Sequence, residues 1–482
     1  MRRFLGRFWH SLRARADGPG GQAAAHRDIF SGMVWVLVFV FVAKLAGAAK
    51  EILIAARYGV GPTVDAYGLI FNVVTWPAAV CITVLTSIVL PLEARLGHAN
   101  NGPRDQFRRE LLGTLLLLVA IITLVLALGL PLVMVHTAAP AVNVIGQPMI
   151  TGMVWVTAPT LLTTLYSVWI MSGGRHVNSM LEGVTALVLV CTLLLAPPGR
   201  PQWLVAGTVL GVMLHLGLAI WVQGRESSPV WPSWRFRSPA WRHLRSDMGI
   251  VLLGQVLSSA TTMIESFIAA GVGVGAVSTL GYANRLLALF TSLVVLAIGR
   301  ATLPVFTRIH LSHPQETRAV VGVWLRRLGV LGVLLLLLMW FAAPLLVRLL
   351  YERGTFTHEH TMEVAAVLRI GALQLPAYFP GVVLASYAAA LRHFRLLFAV
   401  GLVTFLVLPV TGWLFSHWFG LTGIALAPTI TYTLTLALLL RGLFGGTPVP
   451  PPVFGYDGSK QPRNVHAPGD QAATPSAGRR ST

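Results

Sequence analysis

The stretch Lys44-Leu-Ala-Gly-Ala-Ala-Lys50-Glu51-Ile-Leu-Ile-Ala-Ala-Arg57-Tyr-Gly-Val-Gly61 places ionisable groups on an otherwise apolar helix. Residues 29–43, directly before it, carry no charge at all. A charged side chain at the centre of a bilayer costs about 2.5–3.5 kcal/mol on insertion scales, and such groups persist where they face a bundle interior, a water-filled cavity or one another. The stretch therefore predicts one wall of a polar cavity inside a membrane protein.

The composition supports a polytopic membrane protein. Of the 482 residues, 55% are hydrophobic and 11% are charged, with a mean hydropathy of +0.72, whereas about a quarter of the residues of a soluble domain are charged. A helical span needs about 20 largely apolar residues. The sequence predicts an all-α integral membrane protein of about twelve transmembrane helices, at 29–57, 65–92, 111–136, 149–172, 179–197, 203–223, 247–271, 275–306, 320–349, 361–391, 396–418 and 421–441.

The basic residues indicate the orientation of these helices. The net charge is +19, and if the N-terminus is cytoplasmic, Arg200 and Arg353 are the basic residues that fall clearly in outer segments. The positive-inside rule then predicts that both termini are cytoplasmic, with no nucleic-acid partner needed to explain the charge. The basic region and apolar run at the N-terminus are also compatible with a cleaved signal peptide. Cleavage would, however, place every later loop on the side of the membrane opposite to the one that the positive-inside rule predicts.

The chain divides into five predicted parts. A basic cytoplasmic leader, expected on the anionic inner leaflet, precedes two six-helix lobes, which are joined by an amphipathic interfacial linker with tryptophans among arginines. A Pro- and Gly-rich tail is predicted to be disordered. Cys81 and Cys191 lie in apolar runs, so neither a disulfide nor a metal site is indicated. The parts are 1–28 (leader), 29–223 (N-lobe), 224–246 (linker), 247–441 (C-lobe) and 442–482 (tail).

An internal repeat relates the two lobes. The segment from Glu51 to Gly61 aligns with that from Glu265 to Gly275 at an offset of 214, sharing the acid, Ile-Ala-Ala and Gly-Val-Gly. Leu90-Pro91 likewise recurs as Leu303-Pro304. Both copies run in the same direction, so the repeat is parallel, and transporters built from such repeats bind substrate between halves that rock against each other. The repeat indicates alternating access. The alternative is a duplicated scaffold that does not transport.

Several charged residues share helix faces and lie at similar depths in the membrane, so we expect them to line the predicted cavity together. A cavity with a slight cationic surplus suits a doubly anionic headgroup such as a diphosphate, to which Arg offers a planar fork and Lys a point charge. The alternative is that these groups form interhelical ion pairs that hold the lobes together. The candidate substrate-binding residues are Lys44, Lys50, Arg285 and Arg369, together with the acids Glu51, Asp65 and Glu265.

Several motifs resemble those of one known family. Lys44-x-x-Gly-x-x-Lys50-Glu51, followed by Asp65-Ala-Tyr67, resembles the first two helices of the MurJ/MviN group of the multidrug/oligosaccharidyl-lipid/polysaccharide exporter superfamily. Tyr282-Ala-Asn-Arg285-Leu is similar to the helix 8 signature of that group. The segment 352–357, Glu-Arg-Gly-Thr-Phe-Thr, is similar to its loop before helix 10. The likeness covers about residues 29–440.

The resemblance implies a flippase that moves an undecaprenyl-diphosphate-linked saccharide, such as a lipid II-like peptidoglycan precursor, across the bacterial inner membrane. It implies that Lys44, Lys50 and Arg285 hold the diphosphate, with Glu51 and Asp65 as acidic partners. The sequence departs from the family in three ways: lysines replace the usual arginines on helix 1, helix 2 lacks its basic residue, and twelve helices are predicted against fourteen. A polysaccharide or exopolysaccharide intermediate is therefore the alternative substrate.

Two further functions compete with this one. A small-molecule antiporter would share the two-lobe plan but is expected to have an aromatic, acid-dominated cavity. A membrane glycosyltransferase is expected to need a sizeable soluble loop with acids, and the outer loops here are short. The sequence contains no nucleotide-binding glycine loop, so no cofactor is predicted. An ion gradient and the membrane potential are both left open as the energy source, as are partner proteins of cell-envelope biosynthesis.

Overall fold

The structure is a computed structural model that describes residues 41–445 except 100, 174–177, 179–180, 198, 226–229, 313 and 392. The predictions for the leader, for residues 29–40 of the first span and for most of the tail lie outside the described residues. No described residue is in a β-strand. The helices are α1 (41–58), α2 (Pro62–Val84), α3 (Leu90–Ala99), α4 (Asn101–Thr137), α5 (Pro140–Met153), α6 (Thr157–Ser172), α7 (Val184–Leu195), α8 (Gln202–Gly224), α9 (Ala240–Val272), α10 (Ala276–Ser312), α11 (Pro314–Tyr351), α12 (His358–Ala372), α13 (Leu375–Ala390), α14 (Phe394–Phe419) and α15 (Leu421–Phe444).

The all-α membrane fold predicted from hydropathy is confirmed. Among the described residues, eight helical stretches are long and apolar enough to cross a bilayer, and the bent pair α12–α13 adds a ninth. The three other predicted spans also coincide with helices, namely α1, the short α7 and α10. Each predicted span thus corresponds to a helix, in the predicted order.

The helix breaks reproduce the internal repeat. α1 ends at residue 58 and α2 begins at Pro62, while α9 ends at Val272 and α10 begins at Ala276, so both boundaries are related by the offset of 214. A Gly-Val-Gly segment makes each connection. Gly59 has φ 62° and Gly275 has φ 86°, values that favour glycine because it has no Cβ. The two connections therefore turn the chain sharply between paired helices.

A π-helical turn explains why the repeat offset changes along the chain. Leu85–Val89 forms this turn between α2 and α3, whereas α10 is α-helical over the corresponding residues. A π-turn closes hydrogen bonds from i to i+5 and so accommodates one extra residue in a helix. Before the turn the offset is 214, and after it Leu90 corresponds to Leu303 at an offset of 213. The N-terminal copy has therefore gained one residue at the turn.

The helices form two groups that meet along α2. The helices α2 and α5 to α8 pack on one another, as do α9 to α15, and α9 and α10 of the second group pack on α2 of the first. The indole Nε1 of Trp76 on α2 donates a hydrogen bond to Oγ of Ser259 on α9, at 3.0 Å. These groups correspond to the two predicted lobes. The exact lobe and linker boundaries stay a prediction.

A buried ionic cluster joins three helices at one end of the first group. Glu93 on α3 is fully buried and accepts hydrogen bonds from Arg104 (2.9 Å) and Arg108 (2.7 Å) on α4. Both arginines also donate to Oγ of Ser172, the last residue of α6, at 3.3 Å. A buried carboxylate needs such compensation, because removing one partner of a buried pair costs about 3–5 kcal/mol. The cluster fixes the ends of α3, α4 and α6 together.

Close packing between α11 and α13 gives a test of the fold. A Cβ added to Gly332 of α11 would lie 2.6 Å from the carbonyl oxygen of Leu375 and 2.8 Å from Cα of Pro376. Overpacking of this kind costs about 1–3 kcal/mol. We expect Gly332→Ala to lower the thermal unfolding midpoint of the purified protein by several degrees.

Gly322 of the same helix is the matched control, since a Cβ there meets no atom within 4 Å. Gly322→Ala should leave the midpoint unchanged or raise it, because alanine favours helix more than glycine does. Equal midpoints for the two variants would contradict the packing of α11 on α13.

Candidate functional site

A polar cavity lies between the two lobes, where α1 and α2 face α9 and α10. Its volume is about 230 Å³. Of the predicted site residues, Glu51, Glu265 and Arg285 line it. The other polar lining side chains are Asn72, Thr262, Ser266, Ser278 and Asn284, and the apolar lining includes Ile54, Val64, Tyr67, Val277 and Leu280.

An ion cluster on one wall of the cavity bridges the two lobes. Glu51 of α1 is buried, and its Oε1 lies 2.8 Å from Nζ of Lys50 while its Oε2 lies 2.8 Å from Nη1 of Arg285 on α10. The contact with Arg285 is an ion pair without the angles of a hydrogen bond. Lys50 also lies over the ring of Phe71, 5.3 Å from its centroid. One carboxylate is thus shared by a cation of its own helix and a cation of the opposite lobe.

The second acid of the cavity has different neighbours. Glu265 of α9 has no ion pair within the described part of the chain, and it lines the cavity beside Thr262 and Ser266. Ser266 Oγ accepts a hydrogen bond from the amide Nδ2 of Asn72 on α2, at 3.2 Å. Neutral hydrogen-bonding groups therefore connect the lobes around Glu265. With Lys50 adjoining, the described charges of the cavity are balanced, two basic and two acidic, rather than showing the predicted cationic surplus.

Asp65 joins the lobes beside the cavity, at the end where α1 ends and α10 begins. Its side chain is fully buried and accepts hydrogen bonds from the backbone N–H groups of Gly275 and Ser278, the latter at 2.7 Å. These groups belong to the first turn of α10 and the residue before it, where backbone N–H groups lack partners within the helix and the helix dipole favours an anion. Asp65 of the first lobe is thus a cap for a helix of the second.

Further contacts at this same end close the space between the lobes. Tyr282 Oη donates to the carbonyl of Gly59 at 3.2 Å, and the N–H of Thr355 donates to the carbonyl of Ala56 at 2.9 Å. A Cβ on Gly354 (φ 59°) would lie 2.1 Å from that same carbonyl oxygen of Ala56, so glycine is required there. We call the interlobe contacts of Asp65, Tyr282 and Thr355 the seal. According to the predicted orientation it lies at the outer side.

The loop that carries Thr355 is itself held by a side-chain hydrogen bond. Thr361 Oγ1 donates to Oε2 of Glu352 at 2.7 Å. This hydrogen bond holds the pKa of the Glu352 carboxyl below its usual value. A carboxyl whose pKa is lowered on folding stabilises the protein above its unfolded pKa and loses that effect as the pH falls through the folded pKa. The loop contact is therefore retained at neutral pH.

The structure places the remaining candidate residues away from the cavity lining. Lys44 is exposed on α1. The Nε of Arg369 on α12 donates to the carbonyl of Trp340 on α11, at 2.8 Å, and so connects two helices of one lobe. Arg57, the last charged residue of the stretch from Lys44 to Gly61, donates to the carbonyls of Leu194 and Ala196 at the end of α7. Substrate contact by any of the candidates stays a prediction.

Sequence reasoning missed the neutral groups of the cavity. Thr262, Glu265 and Ser266 lie three and four residues apart on α9, and Gly281, Asn284, Arg285 and Ala288 repeat that spacing on α10. Residues at such intervals share one face of a helix. Polar residues on one face of an apolar helix were therefore the available signal.

Sequence comparison connects the chain to one family. The family model described as "Lipid II flippase MurJ" matches residues 54–444. A "Probable lipid II flippase MurJ" of Vibrio cholerae is 26% identical over 264 residues, 54% of this chain and 50% of that protein. A "Lipid II flippase MurJ" of Burkholderia cenocepacia is 22% identical over 432 residues, 86% of this chain and 84% of that protein. The matched stretch thus spans half of the first relative and most of the second.

Solved structures with the same fold agree with this family assignment. A structure titled "Lipid II flippase MurJ, inward closed conformation" is 16% identical, with a TM-score of 0.72, covering 85% of this chain and 87% of that chain. An inward-facing multidrug resistance MATE family transporter of the MOP superfamily is 14% identical, with a TM-score of 0.68, covering 83% of this chain and 93% of that chain. At these identities the likeness shows the fold alone, an all-helical membrane protein with two lobes. The family match over residues 54–444 shows that the chain belongs to the MurJ lipid II flippase family.

Proposed function

We propose that this protein is a flippase that moves an undecaprenyl-diphosphate-linked saccharide, a lipid II-like precursor, across the inner membrane by alternating access. Family membership supports the substrate class, because the relatives are named for lipid II. The observation that carries the proposal is the cluster of Lys50, Glu51 and Arg285 on the cavity wall. This cluster offers two cations to an anionic headgroup, one from each lobe.

In this proposal the diphosphate competes with Glu51 for its cations. Lys50 and Arg285 are compensated by a single carboxylate when the cavity is empty, which avoids the large cost of unpaired buried charge. A diphosphate brings more negative charge and more acceptor oxygens than one carboxylate. Arg285 would bind it through the planar guanidinium fork and Lys50 as a point charge. Glu51 would then keep the cations in place between transport cycles.

The size of the cavity supports the requirement for a conformational change. A volume of about 230 Å³ lies below the roughly 300–1,000 Å³ of ordinary ligand pockets. A saccharide headgroup therefore does not fit until the lobes separate. The seal blocks separation at its own end through Asp65, Tyr282 and Thr355. We infer that substrate enters from the opposite end and leaves after the seal opens.

The neutral polar groups suit the saccharide part of the substrate. Asn72, Thr262 and Asn284 supply amide and hydroxyl groups beside the charged cluster, and such groups both donate and accept hydrogen bonds. The hydroxyl groups of a sugar need partners that both donate and accept hydrogen bonds. A different polyprenyl-linked glycan, such as an exopolysaccharide intermediate, would use this cavity in the same way.

One observation favours a second function, small-molecule antiport. Glu265 faces the cavity with no ion pair in the described part of the chain, and a carboxylate in that position suits a cationic solute. The two functions require different residues. The flippase depends on the cations Lys50 and Arg285, whereas the antiporter depends on the acid Glu265.

Complementation of a MurJ-depleted bacterium tests the flippase proposal. We expect the wild-type chain to restore growth and to prevent lipid II accumulation. Arg285→Ala and Lys50→Ala should lose this rescue by at least tenfold in surviving cells, because the diphosphate loses a charged partner, whereas Lys50→Arg should retain it. Growth and lipid II content are measured together with the amount of protein in the membrane.

Arg326→Ala is the matched control, since Arg326 is exposed on α11 and does not line the cavity. It should rescue as the wild type does. Rescue by both Arg285→Ala and Lys50→Ala would refute the cationic site. Rescue that is lost only in Glu265→Gln would favour the antiporter.

Opening of the seal tests alternating access. Asp65→Ala removes two hydrogen bonds to a charged acceptor, each worth about 1.5–3 kcal/mol, and 1.4 kcal/mol changes a population about tenfold. In a chain with Cys81 and Cys191 replaced by serine and a cysteine introduced at Asn284, we expect Asp65→Ala to raise labelling by a membrane-impermeant maleimide at least tenfold from outside the cell.

Asp105→Ala on α4, which lies outside the seal, serves as the control and should leave labelling unchanged. Unchanged labelling in Asp65→Ala, with the protein intact in the membrane, would exclude the seal as the barrier. Labelling that rises only from the cytoplasmic side would reverse the predicted orientation.

A further inference from the structure

A short non-helical segment, residues 230–239, lies between α8 and α9 and packs against the start of α4. We call it the strip. The N–H of Ser233 donates to the carbonyl of Arg109 at 2.9 Å, and the indole Nε1 of Trp234 donates to the carbonyl of Gly113 at 2.9 Å. The uninterrupted apolar part of α4 begins at residue 111. The strip is therefore fixed at the level where the hydrocarbon core of the bilayer meets the headgroups.

A buried carboxylate holds the end of the strip. Glu110 of α4 is 1% exposed and accepts hydrogen bonds from the backbone N–H groups of Arg237 (2.9 Å) and Ser238 (3.1 Å). The same carboxylate accepts from Nε1 of Trp241 at 2.7 Å and from the amide of Gln106 at 3.0 Å. Four donors thus satisfy both oxygens of Glu110. The strip is attached through backbone and indole N–H groups, which leaves its arginine side chains free.

The backbone of the strip is held in an uncommon conformation. Phe236 has φ 46°, the single positive φ of a non-glycine residue among the described residues. Bulky residues rarely adopt this conformation and keep it where the surroundings determine it, often at functional sites. A Cβ on Gly113 would lie 2.4 Å from the carbonyl oxygen of Ser233, so the strip lies directly on the α4 backbone. The strip is closely packed on its inner side.

Its outer side carries aromatic and basic side chains. Trp231 is 73% exposed, Trp234 58% and Phe236 53%. Arg235 and Arg237 are exposed between and beside them, and neither guanidinium has an ion pair or hydrogen bond in the described part of the chain. Trp234 to Arg237 are four consecutive exposed residues on a fixed backbone. Trp234 and Phe236 contact Gly113 and Trp241 on their inner edges, whereas the two guanidinium groups have no partner in the described part of the chain.

We propose that the strip is a binding surface for the headgroups of acidic membrane phospholipids. Tryptophan rings concentrate at the level of the headgroups in membrane proteins, and basic residues beside an acidic leaflet are attracted to it within a Debye length. The two free guanidinium groups supply charge and forked hydrogen bonding for lipid phosphates. The aromatic side chains place the strip at the level of the headgroups, and Glu110 holds its backbone in a fixed position on α4.

Tryptophan quenching by brominated lipids tests the proposal on the full chain in nanodiscs. We expect brominated phosphatidylglycerol to quench the wild-type protein more strongly than brominated phosphatidylcholine. Arg235→Gln/Arg237→Gln should reduce this difference at least twofold, because the variant keeps polar side chains and the backbone N–H of residue 237 but loses both charges. Arg235→Lys/Arg237→Lys should keep the difference.

Arg348→Gln/Arg353→Gln, which removes two arginines at the other end of the helices, is the matched control and should also keep it. Unfolding midpoints in neutral lipid verify that each variant is folded. A difference that survives in Arg235→Gln/Arg237→Gln, or that falls equally in the control, would overturn the proposal.

Two further measurements distinguish a lipid-binding surface from a simple anion site and from a mobile basic segment. Inorganic phosphate at constant ionic strength should not abolish the preference for phosphatidylglycerol, and complete displacement by phosphate would indicate the simple anion site instead. Glu110→Ala keeps both arginines but releases the strip from α4. It should reduce the preference as well, and an unchanged preference would refute the role of the fixed backbone.

Discussion

The carboxylate of Glu51 imposes the central constraint on this structure. It is buried between the lobes, where an uncompensated charge would cost several kcal/mol, and the two cations that compensate it come from different lobes. Lys50 precedes it on α1, and Arg285 reaches it from α10. Because the second cation belongs to the other lobe, the position of α10 relative to α1 depends on this contact. Under the proposed function, an anion that binds both cations would remove this contact between the lobes.

The internal repeat duplicates the acid but not its partners. At the offset of 214, Glu51 corresponds to Glu265, but Lys50 corresponds to Ile264 and Arg285 corresponds to Phe71. This offset applies because residue 71 precedes the π-turn at Leu85–Val89. The cavity therefore has one ion cluster and one carboxylate without an ion pair in the described part of the chain. A symmetric scaffold thus carries a cationic cluster on one wall of the cavity, and under the proposed function this cluster would hold the one diphosphate of the substrate.

Hydropathy and glycine pattern predicted the helices, their order and the two repeat connections, because these depend on local composition and backbone geometry. The partners of individual charges could not be predicted in the same way. Asp65 accepts a hydrogen bond from a backbone N–H group of α10, and Arg369 donates a hydrogen bond to a backbone carbonyl of α11. Backbone groups are present at every residue, so the sequence contains no signal for such contacts. The sequence indicates which face of a helix a residue occupies, whereas tertiary packing determines which group lies opposite that face.

The seal and the ion cluster act on the same helix. Asp65 caps α10 at Ser278, and Glu51 pairs with Arg285, seven residues further along α10, or about 10 Å at 1.5 Å per residue. The first lobe therefore makes polar contacts with α10 at both levels, and the carbonyl of Gly59 accepts a hydrogen bond from Tyr282 between them. Under the proposed function, a diphosphate that binds Arg285 replaces the contact with Glu51 and leaves the seal contacts of Asp65 and Tyr282 on α10. A ligand shifts an equilibrium only by its different affinity for the two states, and replacement of this ion pair provides such a difference. Substrate occupancy and opening of the seal are thereby coupled through a single rigid helix.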